Sequence, residues 1–273
     1  NLVPCSNMAR EVVGIGTDVT EWKIGDRVSA DFMLDMPHDE YMAAISAPAL
    51  SRALQGVLTE YRVFPAHIST EFPPQIYLIS LSQSLVAILA HLSYEEASTL
   101  PSVLFYKPIK AGDTILVQGT GMVSIFALQF AVTSSATVIV LSSSDEKLQV
   151  AAKLGAKHLI NHKTTLNWDK EVLKLTAGLG VDHIIEVVGN STLKCSIVSV
   201  KINGSIDIIG ILGSEGQDVA PVNIIGSTIF KGLKLRGMYV SSIQQFKDMN
   251  KVIEASIDAT RPMIDKVFNF KDA

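Results

Sequence analysis

A chain of 273 residues with 48% hydrophobic and 18% charged side chains can bury a sizeable core, which excludes an intrinsically disordered protein. Its formal charge of −4 leaves no basic footprint for nucleic acid, and its two cysteines, Cys5 and Cys195, supply neither a disulfide framework nor a zinc cluster. No basic stretch precedes an apolar one at the start, so no signal peptide is read and a cytoplasmic location is expected. The chain opens at Asn1 with residues that already read as mid-domain, so a piece of a longer protein is expected.

In chain order, residues 11–30 alternate like strands. Glu11 to Ile15 is one run, and Gly25-Asp26 turns into a second, Arg27 to Ala30. Residues 31–55 show no clear period. Gly56 to Phe64 alternates again and reads as a strand, with Tyr61 in the core. Residues 68–92 are broken by Pro73-Pro74 and by Ser80, Ser82, Gln83 and Ser84. That interruption falls short of the roughly 18 apolar residues of a membrane span, so an extra strand or an inserted segment is expected and no membrane partner. Ser93 with Glu96 forms a capping box for a short helix that stops at Pro101.

From Lys107 the pattern changes to alternating strands and helices. Strands are expected at 114–118, 137–141, 157–160, 182–188, 205–211 and 233–239, and helices at 123–133, 145–154, 168–177, 191–200 and 242–256. Gly155 follows the second helix as a capping glycine should, and Asn203-Gly204 reads as a turn before the fifth strand. Repeated βα units imply a parallel, doubly wound α/β sheet.

The first of these units carries a glycine turn, Gly119-Thr120-Gly121-Met122-Val123-Ser124, between a strand and a helix. Glycine lets the backbone turn sharply and approach a ligand, and the helix N-terminus presents unsatisfied N–H groups to an anion. The fitting guest is the pyrophosphate of a dinucleotide, although Ser124 replaces the third glycine of the usual pattern. The second strand ends Leu141-Ser142-Ser143-Ser144, where an NAD site usually ends in a carboxylate that accepts from the ribose. Serines would donate to a 2′-phosphate, and Lys147 stands one helical turn on. The pattern points to NADP(H) rather than NAD(H). Asp145 and Glu146 fit as acids at a helix start.

The segments KPIKAGDTILVQGTGMVSIFALQFA, SSSDEKLQVAAKLGAKHLIN and GVDHIIEVVG together resemble the medium-chain dehydrogenase/reductase family, most closely its zinc-independent, quinone-oxidoreductase-like branch. Upstream, EVVGIGTDVTEWKIGDRV and GVLTEYRVFPAH resemble that family's GroES-like β domain. The resemblance implies a partial GroES-like antiparallel domain over residues 1–100, a Rossmann dinucleotide-binding domain over 101–240, and a C-terminal helix over 241–273 returning toward the first domain. It implies NADP(H) in the cleft and hydride transfer to or from a carbonyl, an enone or a quinone. Gly119 to Ser124 match the pyrophosphate turn, with Met122 where the family usually has glycine. Ser142, Ser143 and Lys147 match the ribose-phosphate end, and His162 falls near the adenosine. Val188, Gly189, Gly210, Ile211 and Leu212 would lie along the nicotinamide half. A homodimer is one assembly open to such a chain.

Zinc-dependent relatives carry a histidine ligand where this chain has Ser6, and a cysteine ligand where it has Ser102. No metal is therefore expected, and Cys5 reads as a small packing residue. Without a Lewis acid the hydride acceptor must be electrophilic already. Asn7 is the one weak catalytic candidate, as a donor to a substrate oxygen. The unfamiliar 69–84 segment and the short passage from Pro101 to Lys107 depart from the family pattern and suggest a truncated or mis-spliced product. A zinc-type alcohol dehydrogenase and a cofactor-binding protein without turnover remain alternatives.

Overall fold

The computed structural model describes residues 2–30, 32, 49–71, 109–210, 223–238, 243–264 and 266–272. Three short strands, Arg10–Glu11 (β1), Arg27–Ala30 (β2) and Ser69–Glu71 (β3), pair antiparallel in that order. They cover a small core of Met8, Val28, Ala30, Leu50, Val57 and Ile68. Four expectations fail here. The run from Glu11 stops after one residue because Gly14 and Gly16 break it and Val13 and Ile15 face solvent. Gly56–Phe64 is not a strand. Its start is instead pressed against Val3–Cys5, with Gly56, Val57 and Leu58 N–H groups donating to the carbonyls of Val3, Cys5 and Pro4. A side chain at position 56 would collide with those carbonyls. The rest of the run has no partner strand to cover an apolar face, so Tyr61, expected in the core, is 74% exposed. Cys5, expected to pack, is exposed as well. The second strand that pairs with β2 is β3, which falls at the start of the 68–92 segment where an extra strand or an insertion is expected.

The larger sheet holds Thr114–Gln118 (β4), Thr137–Ser142 (β5), His158–Asn161 (β6), Val181–Glu186 (β7), Val200–Ile208 (β8) and Lys234–Gly237 (β9). All its pairings are parallel, in the order β6-β5-β4-β7-β8-β9. Helices Met122–Thr133 (α1), Asp145–Lys153 (α2), Trp168–Leu175 (α3), Asn190–Ser199 (α4) and Ile224–Lys231 (α5) connect the strands, and Ile243–Ala255 (α6) and Ile257–Thr260 (α7) follow β9. Strand side chains alternate between two apolar layers. Ile115, Val117, Val138 and Val140 pack on Phe126, Phe130, Leu148, Phe246 and Met249 from α1, α2 and α6. Leu116, Ile139, Ile184 and Ile206 pack on Trp168, Val172, Leu193 and Ile197 from α3 and α4. Each fully buried Leu, Ile or Phe contributes about 1.5–3 kcal/mol, so both layers are needed. Helix α1 is apolar nearly all round, as a helix enclosed between a sheet and other helices should be.

Asn203-Gly204 does not precede the fifth strand but lies inside it. Asn203 has φ +59°, and the β7–β8 pairing jumps from Val181↔Val200 to His183↔Ser205. The turn residues are absorbed as a bulge, which lets β8 begin at Val200. Helix α5 was not read from the sequence because Gly226 and Thr228 are poor helix formers. It forms with Asn223 as its cap, the side chain accepting from Gly226 N at 2.9 Å, and stops at Gly232 with φ +60°. Lys231 Nζ donates to the carbonyls of Ile197 (2.7 Å), Val198 (3.1 Å) and Val200 (2.9 Å), tying α5 to the end of α4. Toward the sheet's lower half, buried His183 bridges Ser205 Oγ (2.7 Å from Nδ1) and Asp113 Oδ2 (3.3 Å from Nε2). Among the described residues, no helix is long and apolar enough to cross a membrane. The capping box at Ser93 and Glu96, and the segments 69–84 beyond Glu71 and 101–107, lie outside the described residues.

Candidate active site

Strand order reverses beside β4, with β5 and β6 on one side and β7 to β9 on the other. In an open parallel sheet that reversal opens a crevice beyond the C-terminal strand ends, here those of β4 and β7. Gly119 leaves β4 with φ +79°, a left-handed conformation that glycine adopts without strain. Ser124 Oγ donates back to Gln118 O at 2.7 Å and closes the turn. Gly121 caps α1 with no side-chain hydrogen bond, and the first turn of α1 carries no acid. The leading N–H groups of α1 are therefore left for an anion. Gly121 and Met122 are exposed, Val123 is half-buried and Ser124 is buried.

The ends of β5 and β6 complete this side. Thr120 Oγ1 and Ser142 Oγ lie 3.0 Å apart, linking the glycine turn to the last residue of β5. Ser142 is buried and its hydroxyl is committed to that contact, whereas Ser143 and Lys147 are exposed. Ser144 caps α2, accepting from Lys147 N at 3.4 Å. Asp145 is held aside by Asn161 Nδ2 at 2.8 Å. His162 N donates to Ser142 O at 3.0 Å, which sets the exposed His162 beside the same strand end. The structure thus gathers Gly119 to Ser124, Ser142, Ser143, Lys147 and His162 along one edge.

On the other side of the reversal stands Glu186, the last residue of β7 and fully buried. Its Oε1 accepts from Val188 N (3.1 Å), Gly189 N (3.0 Å) and Thr192 Oγ1 (2.7 Å). Its Oε2 accepts from Gln118 Nε2 (2.7 Å) and Ser196 Oγ (2.5 Å). Its own carbonyl accepts from Ile209 N (2.9 Å) and Gly210 N (3.2 Å). A side chain at Gly210 would sit about on top of the Val187 carbonyl, so the ends of β7 and β8 touch backbone to backbone. Gly189 caps α4 with φ +108°. The N-terminus of α4 is therefore filled by the chain's own carboxylate, and that of α1 is not. Glu186 and Gln118 lie within the motifs that carry the family resemblance, but the motifs alone assign them no role. The available signal was a carboxylate at the C-terminal end of a buried strand, beside the turn Val187–Gly189. Ile211, Leu212 and Ser102 lie outside the described residues, and no hydrogen bond among the described residues links exposed Asn7 to the glycine turn.

Residues 123–255 match the family model described as zinc-binding dehydrogenase. A zinc-type alcohol dehydrogenase-like protein of Schizosaccharomyces pombe is 38% identical over 279 residues, which cover 98% of this chain and 75% of that protein. The chain belongs to the zinc-binding dehydrogenase family, the medium-chain dehydrogenase/reductases. Among solved structures, a Sinorhizobium meliloti 1021 protein assigned as an alcohol dehydrogenase superposes with a TM-score of 0.82 at 31% identity, covering 99% of this chain and 76% of that one. A quinone oxidoreductase of Pseudomonas syringae pv. tomato shares the fold, with a TM-score of 0.68 at 21% identity over 99% of this chain and 76% of its own. This dehydrogenase is thus an oxidoreductase of a family that works with a nicotinamide cofactor on small molecules, and it spans about three quarters of those relatives' length.

A nicotinamide dinucleotide fits the crevice: the open α1 N-terminus suits its pyrophosphate, and open space above Gly121 admits it. No group of three or more His, Cys, Asp or Glu side chains among the described residues comes together as a metal site, and Ser6 stands beside exposed Cys5 where the resemblance places a histidine ligand.

Proposed function

We propose that this medium-chain dehydrogenase/reductase binds NADP(H) along the C-terminal edge of the large sheet and reduces a quinone or an α,β-unsaturated carbonyl without a metal, in the cytoplasm. The observation that carries the reading is the end of β5, where Ser142 and Ser143 stand in place of a carboxylate and exposed Lys147 supplies positive charge. When bound, NADPH supplies a hydride, and the acceptor then takes a proton from solvent. The residues present bind and orient. The glycine turn and α1 hold the pyrophosphate; Ser143 and Lys147 hold the 2′-phosphate; His162 borders the adenosine; Gly189, Ile211 and Leu212 border the nicotinamide. Positioning of two reactants in one geometry is the main catalytic contribution left to such a site. Asn7 as a donor to substrate oxygen, and a homodimer as the assembly, belong to the same proposal.

The name of the yeast relative favours a second reading, a zinc-type alcohol dehydrogenase. Fluorescence titration with NADPH and NADH, followed by NADPH oxidation with a panel of quinones and enones, separates the readings. Tighter NADPH binding with turnover supports the proposal. Stoichiometric zinc with alcohol oxidation establishes the second reading instead. NADPH binding without turnover on any acceptor leaves a cofactor-binding protein.

A further inference from the structure

We infer that Glu186 is the positioning residue for the nicotinamide half of the cofactor, acting through the turns at Val187–Gly189 and Ile209–Gly210; the inference rests on the cofactor occupying the crevice as proposed above. Glu186 joins four parts of this side of the reversal. The Glu186 carboxylate accepts from the end of β4 through Gln118, from the turn through Val188 N and Gly189 N, and from α4 through Thr192 and Ser196. Its carbonyl holds Ile209 N and Gly210 N at the end of β8. A buried carboxyl group is stabilised only when such donors surround it, so the side chain and the turn geometry are fixed together. The adenosine half is held by different contacts, Thr120 with Ser142 and His162 N with Ser142 O, none of which involves Glu186. Gln118 lies between the two, its carbonyl accepting from Ser124 Oγ in the glycine turn. Its Nε2 faces Glu186 Oε2 and Ser196 Oγ (2.8 Å), which leaves its buried Oε1 with no hydrogen-bond partner. That orientation is maintained only while residue 186 carries an acceptor toward it.

The variant Glu186→Gln keeps an acceptor for Val188 N and Gly189 N but turns a donor toward Gln118. The experiment compares its affinity for NADPH with that for 2′-phospho-ADP-ribose, the same molecule lacking nicotinamide. NADPH binding is expected to weaken about tenfold, the equivalent of one hydrogen bond to a charged group, while the fragment's affinity stays within about twofold. The double variant Gln118→Glu with Glu186→Gln, which restores one amide and one carboxylate to the pair, is expected to recover most of the loss. Equal weakening of NADPH and fragment, or no recovery in the double variant, overturns the inference by showing a general packing role. Wild-type protein that binds neither compound defeats the cofactor reading itself, a separate result. If Glu186→Gln fails to fold, Ser196→Ala, which removes one donor to Oε2, provides the same comparison.

Discussion

Thr120 and Ser142 meet hydroxyl to hydroxyl at 3.0 Å, joining the glycine turn after β4 to the last residue of β5. Under the proposed NADP(H) reading, this contact sets the spacing between the pyrophosphate and the ribose, and the exposed Ser143 and Lys147 stand beside Ser142 to meet a 2′-phosphate. Lys147→Ala is accordingly expected to weaken NADPH binding about tenfold and to leave NADH binding unchanged, since only the former carries the extra charge. Parallel fluorescence titrations measure both; an equal loss for the two cofactors removes Lys147 from the specificity argument.

Gly119 is required for its conformation rather than for space. An added Cβ would make an ordinary 3.5 Å contact with Ser124 Oγ, but φ is +79°. Gly119→Ala should cost about 1–2 kcal/mol, the penalty of a left-handed residue with a side chain. At about 2–4 °C per kcal/mol for a unit of this size, melting should fall by several degrees. An unchanged melting temperature in differential scanning calorimetry shows that the turn can relax.

Asp207 lies 1% exposed in β8. Burial pushes its carboxyl up to about 7, against the downward pull of Arg236 on β9. In the unfolded chain an aspartate titrates near ~3.9. The fold thus favours the neutral acid, a contribution complete below about pH 4 and lost as the pH climbs through about 7. Asp207→Asn should flatten the stability profile in that window and exceed the parent at pH 8 by on the order of 3 kcal/mol. Urea midpoints at pH 4, 6 and 8 decide it, and parallel profiles for the two proteins refute the assignment.

Lys231 caps the last carbonyls of α4 from a neighbouring helix. Lys231→Met keeps the apolar stem and removes three donated bonds. The expected loss is about 1–2 kcal/mol, because water can satisfy part of a half-exposed helix end. A urea midpoint equal to that of the parent shows that water replaces the ammonium completely.

The parallel sheet was legible because its central strands β4 and β5 are buried on both faces and so carry short apolar runs, as in Ile115–Val117 and Val138–Leu141. The glycine turn was legible because it falls where such a run gives way to a helix. Gly56–Phe64 misled, since its alternation has a period but no partner to pack against, and Val63 ends 93% exposed. Asn203 misled in the opposite way: local turn chemistry was correct, yet pairing on both flanks kept the residue inside β8. The hub at Glu186 was not legible because its meaning lies in donors contributed by residues 118, 188, 189, 192 and 196, which only the fold assembles. The expectation about zinc rests on single residues, Ser6 and Ser102, and Ser102 lies outside the described residues.

Asn250 on α6 donates its side-chain N–H to the carbonyl of Glu71 on β3 at 3.0 Å, across 179 positions of sequence. A contact of that separation is among the last a chain can close. Asn250 follows every strand of the parallel sheet in the chain, so this tie between α6 and β3 can close only after all six of those strands have been made.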